Sequence, residues 1–309
     1  MSSPDEFRKE VATSRLLLLD GATGTELMRR GVDTGLPLWS AKALIEAPET
    51  VFAIHKDYVA AGAAIITANT FRTHRRSLAK AGLGFQAREL TRLAVSLARQ
   101  ACEESGAYVA GSLAPLEDCY RPDLVPTDQE LRQEHREMAH NLADAGVDLI
   151  LVETMNTIRE AVAAVSAANA TGVPVVVSFV CKGATSPEDH ADWHSAALFS
   201  GESLAEAVQA VAVGQPVAIL LNCIPVRSVE PRLQSLASLT EKPIGAYANV
   251  GHVDEKIGWT LTNAVTPEEY AAAARKWYER GASIIGGCCG TTPEHIAALH
   301  RTFFAERRS

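Results

Sequence analysis

Basic runs, long apolar runs and a dense cysteine framework are all missing from this 309-residue chain. The formal net charge is −8, and no cluster of Lys and Arg is placed to follow a phosphate backbone, which excludes nucleic acid as the expected partner. The opening residues MSSPDEFRKE are polar and acidic where a secretory leader needs basic residues followed by an apolar core. No apolar run approaches the roughly 20 residues of a membrane-spanning helix. A soluble, cytoplasmic protein without membrane partners is the expectation. Six cysteines are too few for a disulfide scaffold, so thiols or metal ligands are the more natural reading. Aromatic residues make up only 6% of the chain, which leaves few candidates for a cage around a quaternary ammonium.

What is present is an ordinary globular composition, 47% hydrophobic and 21% charged, sufficient for a large core. Eight short apolar runs recur along the chain: 15–20, 63–70, 107–114, 148–154, 174–180, 217–223, 243–250 and 283–290. Their continuous rather than alternating apolarity indicates strands buried on both faces, as in a parallel sheet. Between them lie helical stretches such as APETVFAIHKDYVAAG, QELRQEHREMAHNLADAG, TIREAVAAVSAANATG and TPEEYAAAARKWYERG, several closed by the glycine that ends helices. Strand and helix alternating eight times predicts an α/β fold, a (β/α)₈ barrel occupying residues 1–309 as one domain; a doubly wound open sheet is the rival.

Asp20, Asn69, Thr70, Glu153, Cys223, Asn249, Cys288 and Cys289 all fall at predicted carboxyl ends of strands, the face on which barrels assemble their chemistry. Cys223 closes LLNC, and the pair Cys288–Cys289 closes GGCCG 65 residues later. That spacing matches no zinc finger. Three thiolates from neighbouring strand ends can nevertheless hold one Zn²⁺ and leave its fourth position open, as catalytic sites do. The plainer reading of a free cysteine is a small buried apolar residue, and Cys102, Cys119 and Cys181 are read that way. For the vicinal pair, flanking glycines suggest a backbone that must approach something closely. A vicinal disulfide is a further possibility, which a reducing compartment disfavours. DGATGTEL (20–27) fits neither the dinucleotide nor the P-loop spacing, and Glu26 reads equally well as a first-turn helix residue.

Together, DGATGTEL (20–27), LVET (151–154), NC (222–223) and GGCCGTTPEHI (286–296) resemble the homocysteine-binding domain shared by S-methylmethionine-, betaine- and cobalamin-dependent homocysteine methyltransferases. The resemblance runs from the first strand to the helix after the last. It implies a barrel with zinc on Cys223, Cys288 and Cys289. It also implies an amino-acid pocket in which Asp20, Gly21 and Glu153 take the amino and carboxylate groups of homocysteine, with Thr70 beside it. Two departures stand out: Ala68 replaces a threonine common in the family, and Ala248 replaces a proline common in the S-methylmethionine type. PLWSAKAL (37–44), in contrast, resembles that type.

The implied reaction is methyl transfer to the thiol of homocysteine, giving methionine, with small molecules as the partners. The chain leaves no room for separate folate- or cobalamin-binding domains, so a diffusible donor is expected. A sulfonium is favoured, S-methylmethionine before S-adenosylmethionine, because few aromatics (Tyr247, Phe71, Trp39 and Trp193) are placed to cage betaine. The polar loop around 181–202 could act as a lid or be a passive excursion. Two rivals remain from this reading: an enzyme methylating another thiol or selenol, and a zinc-binding regulatory or storage protein that does not turn over.

Overall fold

Each of the eight apolar runs becomes a parallel strand in the computed structural model, which describes residues 3–13, 15–182, 196–250, 252–254, 258–260 and 265–304. The strands are β1 (Leu17–Leu18), β2 (Ile65–Ala68), β3 (Tyr108–Leu113), β4 (Leu149–Met155), β5 (Val175–Phe179), β6 (Ala218–Pro225), β7 (Ile244–Asn249) and β8 (Ala282–Gly287). They form one eight-stranded sheet in which every strand lies beside its sequence neighbours, and β8 lies beside β1. The last seam closes between β1 and β2. There Leu19 bridges Ile65, Ala64 N donates to Leu18 O at 2.7 Å, and Asp20 N donates to Ile65 O at 3.0 Å. A closed barrel results, and the open doubly wound sheet is excluded, since that topology reverses its strand order at a switch point.

Among the described residues, eight helices of eight residues or more connect or follow the strands: α1 (Pro48–Ala60), α2 (Ala87–Cys102), α3 (Asp128–Ala145), α4 (Ile158–Asn169), α5 (Leu204–Val211), α6 (Val226–Ala237), α7 (Pro267–Glu279) and α8 (Pro293–Phe304). Their starts are written into the sequence. Thr127 with Glu130, Ser203 with Glu206 and Thr266 with Glu269 form reciprocal capping boxes at α3, α5 and α7. Each pairs two otherwise orphaned backbone donors. Gly146 ends α3 at φ +83°, a left-handed conformation that would strain a residue carrying a Cβ.

Alternation along the strands explains the continuous apolar runs. Leu17, Leu19, Ile65, Leu149, Leu151, Val176, Leu220 and Ile284 fill the barrel interior, whose amino-terminal end is plugged by Phe7 and Val11 from the helix Pro4–Ala12. Their neighbours Leu18, Ile66, Ile150, Val177, Ile219 and Ile285 point outward and pack against the helices. Burying each such side chain contributes about 1.5–3 kcal/mol relative to leaving it in water. Toward the carboxyl ends the same inward positions turn polar: Thr67, Ser112, Glu153, Ser178 and Asn222. A closed apolar plug below and a polar floor above place the chemistry at one end of the barrel.

Two boundaries differ from the sequence reading. β8 stops at Gly287, so Cys288 and Cys289 lie in the turn toward α8, and β6 continues past Cys223 to Pro225. In the β5–α5 connection Cys181 bridges Leu198 and Ala197 bridges Ser203. Most of the expected lid, including Trp193, lies outside the described residues. No helix among the described residues is long and apolar enough to cross a membrane.

Candidate metal centre

The ligand geometry begins in the backbone. Cys223 adopts φ +56° within β6, where the pairing register with β7 shifts between Asn222 and Pro225. A non-glycine residue in that region costs about 1–3 kcal/mol and persists only where its surroundings impose it. Opposite it, Cys288 N donates to Ala248 O at 2.8 Å, Gly287 N to Asp20 O at 2.9 Å, and Val250 N to Cys289 O at 3.0 Å, fixing the turn after β8 against β1 and β7.

These constraints bring the three sulfurs together. Cys288 Sγ lies 3.3 Å from Cys223 Sγ and 3.9 Å from Cys289 Sγ, and all three fall within 4.8 Å of one another. None is bonded as a disulfide, which would need about 2.05 Å. Ligands about 2.3 Å from a tetrahedral zinc stand roughly 3.8 Å apart, so both the donor type and the spacing fit one soft divalent ion. Hydrogen bonds from Cys288, Cys289, Tyr120 and Asn249 hold the Cys223 thiol well below its ordinary pKa, whereas Cys288 and Cys289 are pushed well above theirs, chiefly by donating toward Cys223. The remaining cysteines behave as the plainer reading expects: Cys102, Cys119 and Cys181 are buried, and burial raises each thiol.

Two buried carboxylates share this end of the barrel, Glu153 close enough to interact electrostatically with Cys223 on one side and with Asp20 on the other. Asp20 is 2% exposed and accepts from Thr67 N at 2.7 Å and from Thr67 Oγ1 at 2.9 Å. Glu153 is 8% exposed and accepts from Ser112 Oγ and, at 3.1 Å, from Tyr247 Oη. A further chain continues this floor: Ser178 Oγ to Tyr247 Oη at 2.6 Å, Ser178 to Asn222 Oδ1 at 3.0 Å, and Asn222 Nδ2 to Thr154 Oγ1 at 2.8 Å. No Lys, Arg or His among the described residues forms an ion pair with either carboxylate. Burial therefore raises Asp20 to about 8 and Glu153 to about 7. A buried carboxylate without a counter-ion favours its neutral form until a cation arrives.

Between about pH 4.5 and 7 an unfolded Glu153 is ionised while the folded one keeps its proton, so its contribution to stability falls as pH rises through that window. Without ligand, Glu153→Gln should gain on the parent protein from pH 4.5 to 7 and level off above it. Denaturant midpoints of both proteins across this range check the trend; a constant difference would contradict it.

The two glycine-rich motifs interlock. Ala22 N donates to Thr291 Oγ1 at 3.2 Å, Gly290 N to Thr25 Oγ1 at 2.9 Å, and Tyr58 Oη to Ala22 O at 2.9 Å. Glu26 is held by Arg30 at 3.1 Å and serves this scaffold. The close approach suggested by the glycines beside the cysteines is to protein: a Cβ on Gly286 would lie 2.6 Å from Leu19 Cβ and 2.9 Å from Asp20 O. Gly286→Ala must therefore push β8 off β1, and is expected to cost about 1–3 kcal/mol as overpacking does. A lowered thermal midpoint of the metal-free protein checks this; an unchanged one would contradict it.

The structure thus gathers Asp20, Gly21, Glu153, Cys223, Cys288 and Cys289 at one end of the barrel. Gly21 has no room for a side chain, since a Cβ would stand 2.7 Å from Tyr58 Oη. Thr70 is fully buried, its hydroxyl donating to Ser112 O at 2.9 Å. Thr67, Ser112 and Tyr120 are the site residues that motif reading missed, and Tyr247, read there only as an aromatic candidate for a cage, instead supports Glu153. The inward register of the strands could have pointed to Thr67 and Ser112; nothing in the sequence pointed to Tyr120.

Comparison with known proteins gives a consistent match. Residues 17–303 match the family model described as homocysteine S-methyltransferase. Homocysteine S-methyltransferase YbgG of Bacillus subtilis is 33% identical over 93% of this chain and 94% of its own length. Selenocysteine Se-methyltransferase of Brassica oleracea is 30% identical over 99% of this chain and 93% of its own. A crystal structure of the metallated homocysteine methyltransferase MmuM from Escherichia coli superposes with a TM-score of 0.80 at 32% identity, covering 96% of this chain and 99% of that one.

Proposed function

The chain belongs to the homocysteine S-methyltransferase family, and from that premise we propose that it is a zinc-dependent enzyme transferring a methyl group from a sulfonium donor to the thiol of L-homocysteine. The observation that carries this reading is a triad of convergent cysteines at the same end of the barrel as two buried carboxylates, Glu153 facing Cys223 and Asp20 facing Glu153, that have no cationic partner among the described residues.

Cys223, Cys288 and Cys289 would hold the zinc, which when bound stabilises an acceptor sulfur as thiolate at neutral pH. Glu153 and Asp20 supply the charge that a substrate ammonium lacks in a low-dielectric site. Each is pre-oriented from below, Glu153 by Ser112 and Tyr247 and Asp20 by Thr67. With its amino group so anchored, the acceptor's sulfur can be held in line with the donor methyl. The new S–C bond forms as the donor's C–S⁺ bond breaks, a neutral thioether leaves, and opposite charges cancel along the path. Orienting two reactants in this way can supply roughly 7–11 kcal/mol of the barrier reduction.

For the donor, S-methylmethionine is placed first and S-adenosylmethionine second. The aromatic positions support a sulfonium over betaine. Tyr247 is buried with its hydroxyl committed to Glu153 and Ser178, and Trp39 packs beside Gly24, so neither is free to cage betaine. Steady-state rates with S-methylmethionine, S-adenosylmethionine and betaine, each paired with homocysteine or selenocysteine, test both assignments. The expected ranking has S-methylmethionine with homocysteine at the top. Betaine outrunning both sulfonium compounds would overturn the donor, and selenocysteine outrunning homocysteine would overturn the acceptor.

A further inference from the structure

We propose that Tyr120 is a positioning residue for the metal centre, its hydroxyl donating to Cys223 Sγ at 3.3 Å and setting both the direction and the electron density of that sulfur. The proposal rests on the reading of the cysteine triad as a metal site. Tyr120 lies in the β3–α3 connection, far in sequence from every cysteine of the triad, and three loops hold it in place. Its own N donates to Asp118 Oδ1 at 2.9 Å. Asn156, just after β4, donates through Nδ2 to Cys119 O at 2.9 Å and receives Ser200 N on its carbonyl at 3.2 Å. Phe199, from the β5–α5 connection, meets the Tyr120 ring edge-on, with centroids 5.2 Å apart and planes at 69°. A phenol anchored from β3, β4 and β5 thus delivers one donor to a ligand on β6.

The chemistry gives this contact a purpose. When a metal is held, Cys288 and Cys289 are thiolates and can no longer donate to Cys223, whereas the Tyr120 hydroxyl still can. A hydroxyl bonded to a metal-bound thiolate withdraws charge from sulfur and fixes its lone pairs, and groups in this outer position commonly govern metal affinity. Cys223 is thereby made the less nucleophilic sulfur in a site visited by a methylating agent.

Cobalt(II) in place of zinc provides the readout, because sulfur-to-cobalt charge-transfer bands move to lower energy when a thiolate loses a hydrogen bond. Tyr120→Phe keeps the ring and its packing on Phe199; it should red-shift these bands and weaken zinc binding by about 10- to 100-fold. Phe199→Leu keeps the hydroxyl but loosens it, and should shift the bands in the same direction by less. Bands at the parent position in Tyr120→Phe, or a shift confined to Phe199→Leu, would overturn the assignment. Should Tyr120→Phe fail to fold, Phe199→Leu decides alone, with an unshifted band counting against. Failure of the metal reading is separately visible, since the parent protein would then show no charge-transfer band.

Discussion

Replacing Cys288 with serine is expected to take the zinc content from about one ion per chain to near zero and to abolish turnover while leaving the barrel folded. A serine hydroxyl is harder than a thiolate and is not ionised at neutral pH, so the soft three-sulfur donor set is broken. Metal-assisted stabilisation of developing charge is worth several kcal/mol, which corresponds to a fall in rate on the order of 10³-fold or more. The fold should survive because Cys288 is only partly buried and its place in the turn is set by backbone hydrogen bonds that serine can also make. Metal analysis, circular dichroism and turnover on one preparation separate the possibilities. Full zinc with full activity would remove Cys288 from the site, and loss of the fold would give it a structural role instead.

The second large effect is on acceptor affinity. Glu153→Gln preserves the shape of the floor, where Ser112 and Tyr247 can still contact an amide, but removes the charge that faces a substrate ammonium. Breaking a buried charge pair costs about 2–5 kcal/mol, or roughly a 30- to 5,000-fold rise in the dissociation constant for homocysteine. Calorimetric titration of the zinc-loaded variant measures it directly. An unchanged constant would mean that another group neutralises the ammonium, and Asp20 is the next to test, being the other buried carboxylate without an ion-pair partner among the described residues.

Much of the fold and of the metal centre is legible in the sequence. Eight apolar runs with intervening helical periodicity pointed to the barrel and left an open sheet as the rival, because a strand buried on both faces and a helix closed by glycine each leave a local signature, as Gly146 does at the end of α3, whereas closure between β1 and β2 leaves none. Cys223, Cys288 and Cys289 could be placed together because the barrel brings its strand ends to one rim. Distances across the sheet are another matter. That Tyr247 supports Glu153 depends on β4 and β7 facing each other across the interior, a relation set by closure and shear rather than by sequence spacing. Likewise Thr67 rather than Thr70 meets Asp20, which follows from the seam register of β1 and β2. The glycines at 286 and 287 pointed correctly to a close approach, but the neighbours are Leu19, Asp20 and Thr291, identifiable only once β8 is set against β1.

The central claim is that a metal held by Cys223, Cys288 and Cys289 is required for methyl transfer to homocysteine. It is tested most directly by following methionine formation from S-methylmethionine before metal removal, after chelation under reducing conditions, and after zinc is restored. Activity that disappears with the metal and returns in proportion to the zinc rebound is the predicted result. Undiminished methionine formation by the stripped, reduced protein would contradict it.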